Sequence, residues 1–538
     1  MISKTLDAKT LGIQLFLSCS LLSFNAHTKM NPRKKDRENK RLFRNTVLFL
    51  CIVLVVGVYT LIYMLLYSDP VDNPGPPGGV PAIRPITELL EAVPPPKVHL
   101  KGTAIRKKKL AVLSTSNVIS NEIRAGMQYA FQAYMRDAWK ADEYLPVKRR
   151  GLNTFGGKGL TIIDSLDTLY LMGLETEFKS AREFVKSEFK FDGRINVFEN
   201  NIRVLGGLLS AYSLTNDTIF LEKAVEVGDV LLGAFHGRIP CAVIDTSNPE
   251  FCKTQQWASG AVNAEVGTLS VEFVALTRFT QDTRWSKKID AINEYWNEHK
   301  GGLLSMNIDM VSEKMSGPKT IGGGIDSTYE YFIKLKHLTG DKLAGELYDT
   351  FEEMIVSQMF VKYGNTTFAK ASGSDKVEHL GCFLGGMLIM GQKYIEQGLA
   401  FTETCARMYT SNPSGIACDS VTVNPDGRLL CSSNVYLLRP EVVESIFYAW
   451  RETHDPKWRV YAAKIWKALE KHCQLPTGGF TDVRYVTGKV PEKMDKQESW
   501  FLAETIKYLW LIFRPDEELP LDKFVFNTEA HPISVFKR

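Results

Sequence analysis

The 538-residue sequence has nine cysteines but no Cys-x-x-Cys pair, which removes the usual structural zinc motifs. It has no EF-hand loop, so no calcium site is legible from spacing. Strand-like pieces are few, Leu303–Met310 and Gly479–Val486 among them, and this leaves a fold dominated by helices. A nucleic-acid footprint is missing too. Residues 1–44 carry ten Lys and Arg against three Asp and Glu, a net +7; the formal charge of the chain is +4, so −3 is left for everything after that tail. A basic tail on a mildly acidic body is not a nucleic-acid binder.

Between Thr46 and Tyr67 there is neither charge nor proline. This run can cross a bilayer, which takes about 20 residues, and it exceeds the 7–15-residue apolar core of a cleaved signal peptide. Arg33, Lys34, Lys35, Arg37, Lys40, Arg41 and Arg44 precede it, and Asp69 and Asp72 follow. That asymmetry puts the N-terminus in the cytosol and the rest in a lumen or outside. The expected division is a cytoplasmic tail (1–45), a transmembrane signal anchor (46–67), a Pro-rich luminal stem (68–118) and a globular body (119–538). The stem is too rich in Pro and Gly to pack a core. A weaker apolar run, Leu11–Phe24, lies upstream, and Met30 could equally serve as the start.

The sequons at Asn216 and Asn365 fit a luminal body. Seven cysteines follow the anchor, an odd number, so at least one stays unpaired within the chain. An oxidising lumen favours disulfides. Cys241–Cys252 and Cys418–Cys431 are compatible with short loops, and buried free thiols are the alternative at each position.

What the body does have is a repeated punctuation. Four stretches open with acidic residues and close on Thr-x-Asp: Glu199–Asp217, Glu265–Asp282, Asp326–Asp341 and Glu441–Asp455. The Asp-to-Asp intervals are 65, 59 and 114 residues, the last close to two of the others. A period of this kind suggests an array of two-helix units, six or seven in all. Residues 178–189, 219–235, 285–296 and 458–472 read as the outer helices, and 389–409 holds another pair. An open solenoid is the alternative, but the inner segments are apolar (VLGGLLSAY, VEFVALTRF), which suits a closed ring.

Each acidic start would then lie at one rim, over one cavity. Acids favour the first turn of any helix because they complement its dipole. Here they come with partners: Arg203 one turn after Glu199, Arg439 two residues before Glu441, and His379 at the head of HLGCFLGG, with Glu272, Glu330, Glu444, Glu498 and Glu504 near other starts. Glycoside hydrolysis needs one carboxylic acid to protonate the leaving oxygen and a second carboxylate on the other face, about 6.5–9.5 Å away when a water must fit between.

Seven motifs in order make the chain recognisable: TIIDSLDTLYLMGL (161–174), VFENNIRVLGGLLSAY (197–212), GGGIDSTYEYFIK (322–334), EHLGCFLGG (378–386), LLRPEVVES (437–445), ESWFLAETIKYLWLIF (498–513) and FNTEAHP (526–532). From Ser120 to Pro532 the chain resembles the class I α-1,2-mannosidases, glycoside hydrolase family 47. The resemblance implies an (αα)7 barrel, with small β-hairpins, preceded here by the single transmembrane helix. It implies removal of terminal α-1,2-linked mannose from high-mannose N-glycans of glycoproteins, with inversion and with Ca2+, in the endoplasmic reticulum or Golgi. Glu199 matches the family's proposed general acid, Glu441 the proposed general base and Asp326 the third essential carboxylate, the acid role being shared in principle between Glu199 and Asp326. Arg203, Glu265, His379, Arg439, Glu504 and Glu529 match residues that line the sugar site or hold its waters. Thr528 matches the direct calcium ligand, through its hydroxyl and carbonyl oxygens. Cys382 and Cys405 match a disulfide pair.

Three places depart from the family. Trp500-Phe501 stands where Phe-Phe is frequent, so a larger ring would lie under the sugar. Gly324 takes a position occupied by Arg or Leu, associated with choice of glycan branch. The run Cys241–Cys252 is unlike its counterpart. A mannose-recognising quality-control factor with little catalysis is the alternative on this fold, but no catalytic carboxylate is missing.

Overall fold

The computed structural model describes residues 102–536 apart from 372, with side chains from Ser116 onward. The expected tail and the anchor at 46–67 lie outside the described residues, and no described helix is long and apolar enough to cross a membrane. The first helix, α1 (Gly102–Asp137), already runs through the last part of the segment expected to be stem.

The described body is a succession of paired helices. They are α2 (Leu160–Asp164 with Leu166–Leu171) and α3 (Glu175–Ser187), and α4 (Val197–Glu199, the π-helical Asn200–Leu205 and Gly206–Thr215) and α5 (Thr218–Leu232). Then come α6 (Asn263–Gly267 with Ser270–Thr280) and α7 (Ser286–His299), and α8 (Asp326–Thr339) and α9 (Lys342–Met359). They are followed by α10 (Leu380–Cys382 with Phe383–Gly391) and α11 (Ile395–Thr410), α12 (Glu441–Thr453) and α13 (Pro456–His472), and finally α14 (Phe501–Thr505 with Ile506–Ile512). The even-numbered segments touch in sequence order, and α14 touches α2. Each odd-numbered helix packs outside its neighbour, α1 against α13 and α14.

Burial explains the division. All of α14 from Phe501 to Ile512 is buried, as are most residues of α8 and α12, so these segments are enclosed by protein on nearly every side. The outer helices are amphipathic: α13 buries Trp458, Ile465, Trp466 and Leu469 while its lysines face out. At α10 and α11 the backbones nearly touch. A Cβ on Gly385 would lie 2.2 Å from Thr402 Oγ1, and one on Gly398 would lie 2.8 Å from the Gly385 carbonyl oxygen, so glycine is required there.

The Thr-x-Asp signature forms the same turn four times. The middle residues Asn216, Gln281, Gly340 and His454 are left-handed, with φ of 56°, 63°, 70° and 50°. The threonine hydroxyl donates one turn back, to Ala211, Leu276, Leu335 and Ala449 respectively. The aspartate accepts a backbone N–H from the first turn of the next helix at three sites, from Ile219, Ala344 and Lys457, and at the second site from Arg284, two residues before α7. Both orphaned helix ends are satisfied within three residues. The short expected strands appear in part, as Asn307–Ile308 and Val483–Arg484, each within a small three-stranded sheet.

Another of the small sheets is a hairpin that reaches into the ring of inner helices. Strands Phe524–Phe526 and Pro532–Ser534 pair antiparallel and contact α4 and α8. The turn between them, 527–531, is anchored from all sides. Lys334 of α8 donates to the Asn527 carbonyl at 2.9 Å and Lys507 of α14 to the Ala530 carbonyl at 2.7 Å. Asn527 Nδ2 donates to the Ile202 carbonyl and to Glu272. His531 lies between Asp164 and Asp167, at 3.0 and 2.8 Å. Buried charges are tolerated here because each has a counter-charge and hydrogen bonds.

Candidate active site

The acidic helix starts converge. A cavity of about 390 Å³ is lined by Glu199, Arg203, Glu265, Asp326, Arg439, Glu441, Trp500, Glu504, Thr528 and Glu529, with Glu330 and Glu444 deeper in. Asp326 and Glu441 are the first residues of α8 and α12, and Glu265 is in the first turn of α6, so three helix N-termini aim positive dipole ends at this space. Glu199 and Trp500 each directly precede a π-helical turn, Asn200–Leu205 and Phe501–Thr505. Such turns rotate side chains out of α-helical register and concentrate at functional sites.

Arg203 organises one wall. Its guanidinium donates to Glu199 at 2.8 Å and to Ser499 at 2.9 Å, and lies 3.2 Å from Glu529. Burial works against its charge, but Glu199, Glu529 and Asp164 outweigh that and hold it firmly cationic. Trp500 lies beneath both cavity arginines, with Arg203 5.0 Å and Arg439 5.9 Å from its ring centre. Its indole N–H donates to the Leu437 carbonyl at 3.0 Å, so the large ring is oriented rather than merely accommodated. Leu438, at φ 60°, turns the chain sharply before Arg439-Pro440-Glu441, and Thr505 donates to its carbonyl at 2.7 Å.

The carboxyl groups differ in charge state. Burial, with the nearby Glu330 and Glu441, pushes Asp326 up to about 7 against the Ser327 N–H bonded to it at 2.9 Å. Burial and the facing Glu199 also push Glu265 up to about 7, although Gln255 donates to it at 2.5 Å. Glu504 is pushed well above the carboxylate range by burial and by Glu529, Glu441 and Glu444, and Glu529 by burial with Asp164 and Glu199, against the pull of Arg203. Glu441 meets the buried ring of His379, whose Nδ1 lies 2.8 Å from its Oε2.

Of the residues that the family resemblance assigns to the sugar or metal site, all but one line the cavity. His379 does not. It is completely buried behind Glu441, because the turn that starts α10 points its ring into the wall. Glu272 is likewise a wall residue, accepting from Asn201, Tyr331 and Asn527. Glu498 lies outside the cavity lining, paired with Lys496 and pushed up to about 9 by burial and Glu143. Trp257, two-thirds exposed at the rim, and Gln255 were not found from sequence; both are in a polar loop with no periodic signal. The disulfides are Cys382–Cys405, Cys241–Cys252 and Cys418–Cys431, leaving Cys473 as the free, buried thiol among the described residues. Asn216 and Asn365 are both exposed, in turns.

A hard cation fits this floor. Among the described residues no three His, Cys, Asp or Glu side chains converge as direct ligands. Thr528 reaches the cavity from the anchored turn, and only its N–H is engaged, donating to Tyr331 at 3.3 Å. Around it stand Glu330, Glu444, Glu504 and Glu529, the last with its Oε1 buried against the Arg203 guanidinium at 3.2 Å. An oxygen-only surface crowded with buried carboxyl groups, which a divalent cation would let ionise, suits calcium, which takes 6–8 oxygens including waters.

A cavity in a helical body, ringed by carboxyl groups in different charge states and floored by an indole ring, is that of a glycosidase. Comparison with known proteins agrees: residues 126–535 match the model of glycosyl hydrolase family 47, and the chain belongs to that family of glycoside hydrolases. It is 36% identical over 447 residues to the mannosyl-oligosaccharide alpha-1,2-mannosidase IA of Drosophila melanogaster, covering 77% of this chain and 67% of that protein. It is 35% identical to the mannosyl-oligosaccharide 1,2-alpha-mannosidase MNS1 of Arabidopsis thaliana, over 78% and 79%. The alpha-1,2-mannosidase structure from Trichoderma reesei superposes with a TM-score of 0.73 at 26% identity, over 78% of this chain and 99% of that one.

Proposed function

We propose that this chain is a Ca2+-dependent, inverting α-1,2-mannosidase that trims high-mannose N-glycans, built as an (αα)7 barrel and held in the endoplasmic reticulum or Golgi by a type II anchor. The cyclic contact order of α2, α4, α6, α8, α10, α12 and α14 supports the barrel. The activity rests on one observation above all: Glu199, Asp326, Glu441 and Thr528, distant in sequence, share a single cavity.

The terminal mannose would meet the part of the Trp500 ring left open beside the two arginines, whose guanidinium groups would face its hydroxyls. Asp326 carries its proton near neutral pH and serves as the reserve of the acid function that it shares with Glu199, which Arg203 holds in place. Glu441, with one oxygen bonded to His379, keeps the other for the attacking water. Thr528 would hold Ca2+ through its hydroxyl and carbonyl oxygens, with Glu504 and Glu529 balancing the charge through waters. Bound there, the ion would order the sugar hydroxyls. Glycans at Asn216 and Asn365 would leave the cavity free, since neither residue lines it.

The test is a proton NMR time course on a nine-mannose glycan with and without a calcium chelator. β-mannose as the first product, and no product with the chelator, are expected. α-mannose would refute inversion, indifference to the chelator would refute the metal assignment, and binding without turnover would favour the quality-control alternative.

A further inference from the structure

Behind Glu441 the hydrogen bonds run in one line. His379 Nδ1 meets Glu441 Oε2 at 2.8 Å, and its Nε2 meets the Tyr409 hydroxyl at 3.0 Å. Tyr409 meets the Tyr436 hydroxyl at 3.1 Å, which meets the Arg439 carbonyl oxygen at 3.1 Å. All three rings are buried and mutually packed, with centroids 5.7–5.8 Å apart.

The end of the line fixes the order of the protons as far as Nε2. A carbonyl oxygen only accepts, so the single Tyr436 proton points to Arg439. Tyr436 can then only accept from Tyr409, whose own proton is thereby used. Tyr409 must accept from His379, so Nε2 carries a hydrogen. A neutral imidazole with hydrogen on Nε2 has a bare Nδ1, which would face the acceptor oxygen of an ionised Glu441. We infer that Tyr409 and Tyr436 are positioning residues that fix His379 as a doubly protonated imidazolium, so that Glu441 waits as a carboxylate against a buried cation. The chain cannot conduct a proton onward, because it ends on a carbonyl. It acts on the base only by holding the charge beside it, and an adjacent cation favours the ionised carboxylate. This rests on Glu441 being the base of the proposed hydrolysis.

The Cys382–Cys405 disulfide makes the arrangement rigid. Cys382 follows His379 by three residues, and Cys405 is one helical turn before Tyr409 on α11, so the covalent bond ties the two partners of the Nε2 contact together. The other groups facing this line are Asp326, Arg439, Glu444 and Glu504 around Glu441, and the Cys473 thiol beside the tyrosines. Removing one phenolic oxygen alters none of them.

The decisive variant is Tyr436→Phe. Tyr409 is then free to donate to Nε2, and His379 reverts to a neutral ring with its hydrogen on Nδ1. The acidic limb of the kcat/KM profile is expected to move toward neutrality by about one pH unit, which is about tenfold lower activity at its acidic foot. Tyr409→Phe should move it the same way. An equal fall at every pH, with the limb unmoved, would mean packing alone and would overturn the inference. The unsubstituted protein gives a second reading: 15N spectra of histidine-labelled enzyme, assigned with His379→Gln. Both His379 ring nitrogens protonated supports the inference, and one bare nitrogen overturns it. Unsubstituted enzyme inactive on every α-1,2-mannoside would instead refute the hydrolase reading on which the inference stands.

Discussion

Replacing Asp326 with Asn tests the most consequential charge state in the cavity. The carboxyl is pushed from an ordinary 3.8 to about 7, first by burial and then by Glu330 and Glu441. The folded protein therefore keeps this proton over a range in which the unfolded chain has lost it. Stability rises with pH only where the unfolded state binds more protons, so this group makes stability fall from about pH 4 to about pH 7 and level off above. Roughly three units at about 1.36 kcal/mol each give a ceiling of ~4 kcal/mol. Asp326 keeps a face on the cavity, where water recovers part of the penalty, so about 1–3 kcal/mol is expected. Asparagine cannot ionise. The variant should match the parent near pH 4 and exceed it in stability by that amount near pH 8, in urea unfolding with disulfides intact and calcium removed from both. It should also lose about 10²–10⁴-fold in turnover, the usual worth of a positioned acid. A stability difference that stays constant across this range would mean that Asp326 holds no reserve proton at neutral pH, and the acid assignment would go with it.

Glu441→Gln should lower kcat by about 10²–10⁴-fold while glycan binding persists, measured by single-turnover kinetics and calorimetry; turnover within tenfold of the parent would remove Glu441 as the base. Cys382→Ser with Cys405→Ser opens a loop between residues 23 apart in sequence and should cost about 3 kcal/mol, seen as a lower thermal midpoint; an unchanged midpoint would mean that the packing of α10 on α11 alone carries the joint.

Much of the helical plan was legible because its signals are local. Thr-x-Asp satisfies one helix's carbonyls and the next helix's N–H groups within three residues, so the sequence had to repeat it. The acidic starts were visible for the same reason. The splits in α4, α6 and α14 were not: π-helical turns and a break at Thr268–Leu269 arise from packing that no period of 3.6 encodes. Thr528 alone would pass for a residue in a surface turn, since its environment comes from Lys334, Lys507 and Tyr331, each far away in the chain.

Sequence by itself determined the four Thr-x-Asp joints between paired helices, and through a family resemblance it named the carboxylates, because these are properties of short segments and of ancestry. Only the tertiary structure decided what each group can do there. It set His379 behind the cavity rather than in it, pushed Asp326 up to about 7, and lined up His379, Tyr409 and Tyr436 in one row of hydrogen bonds that ends on the Arg439 carbonyl. Protonation and hydrogen-bond direction depend on neighbours brought together by folding, and those neighbours come from segments that no local pattern relates.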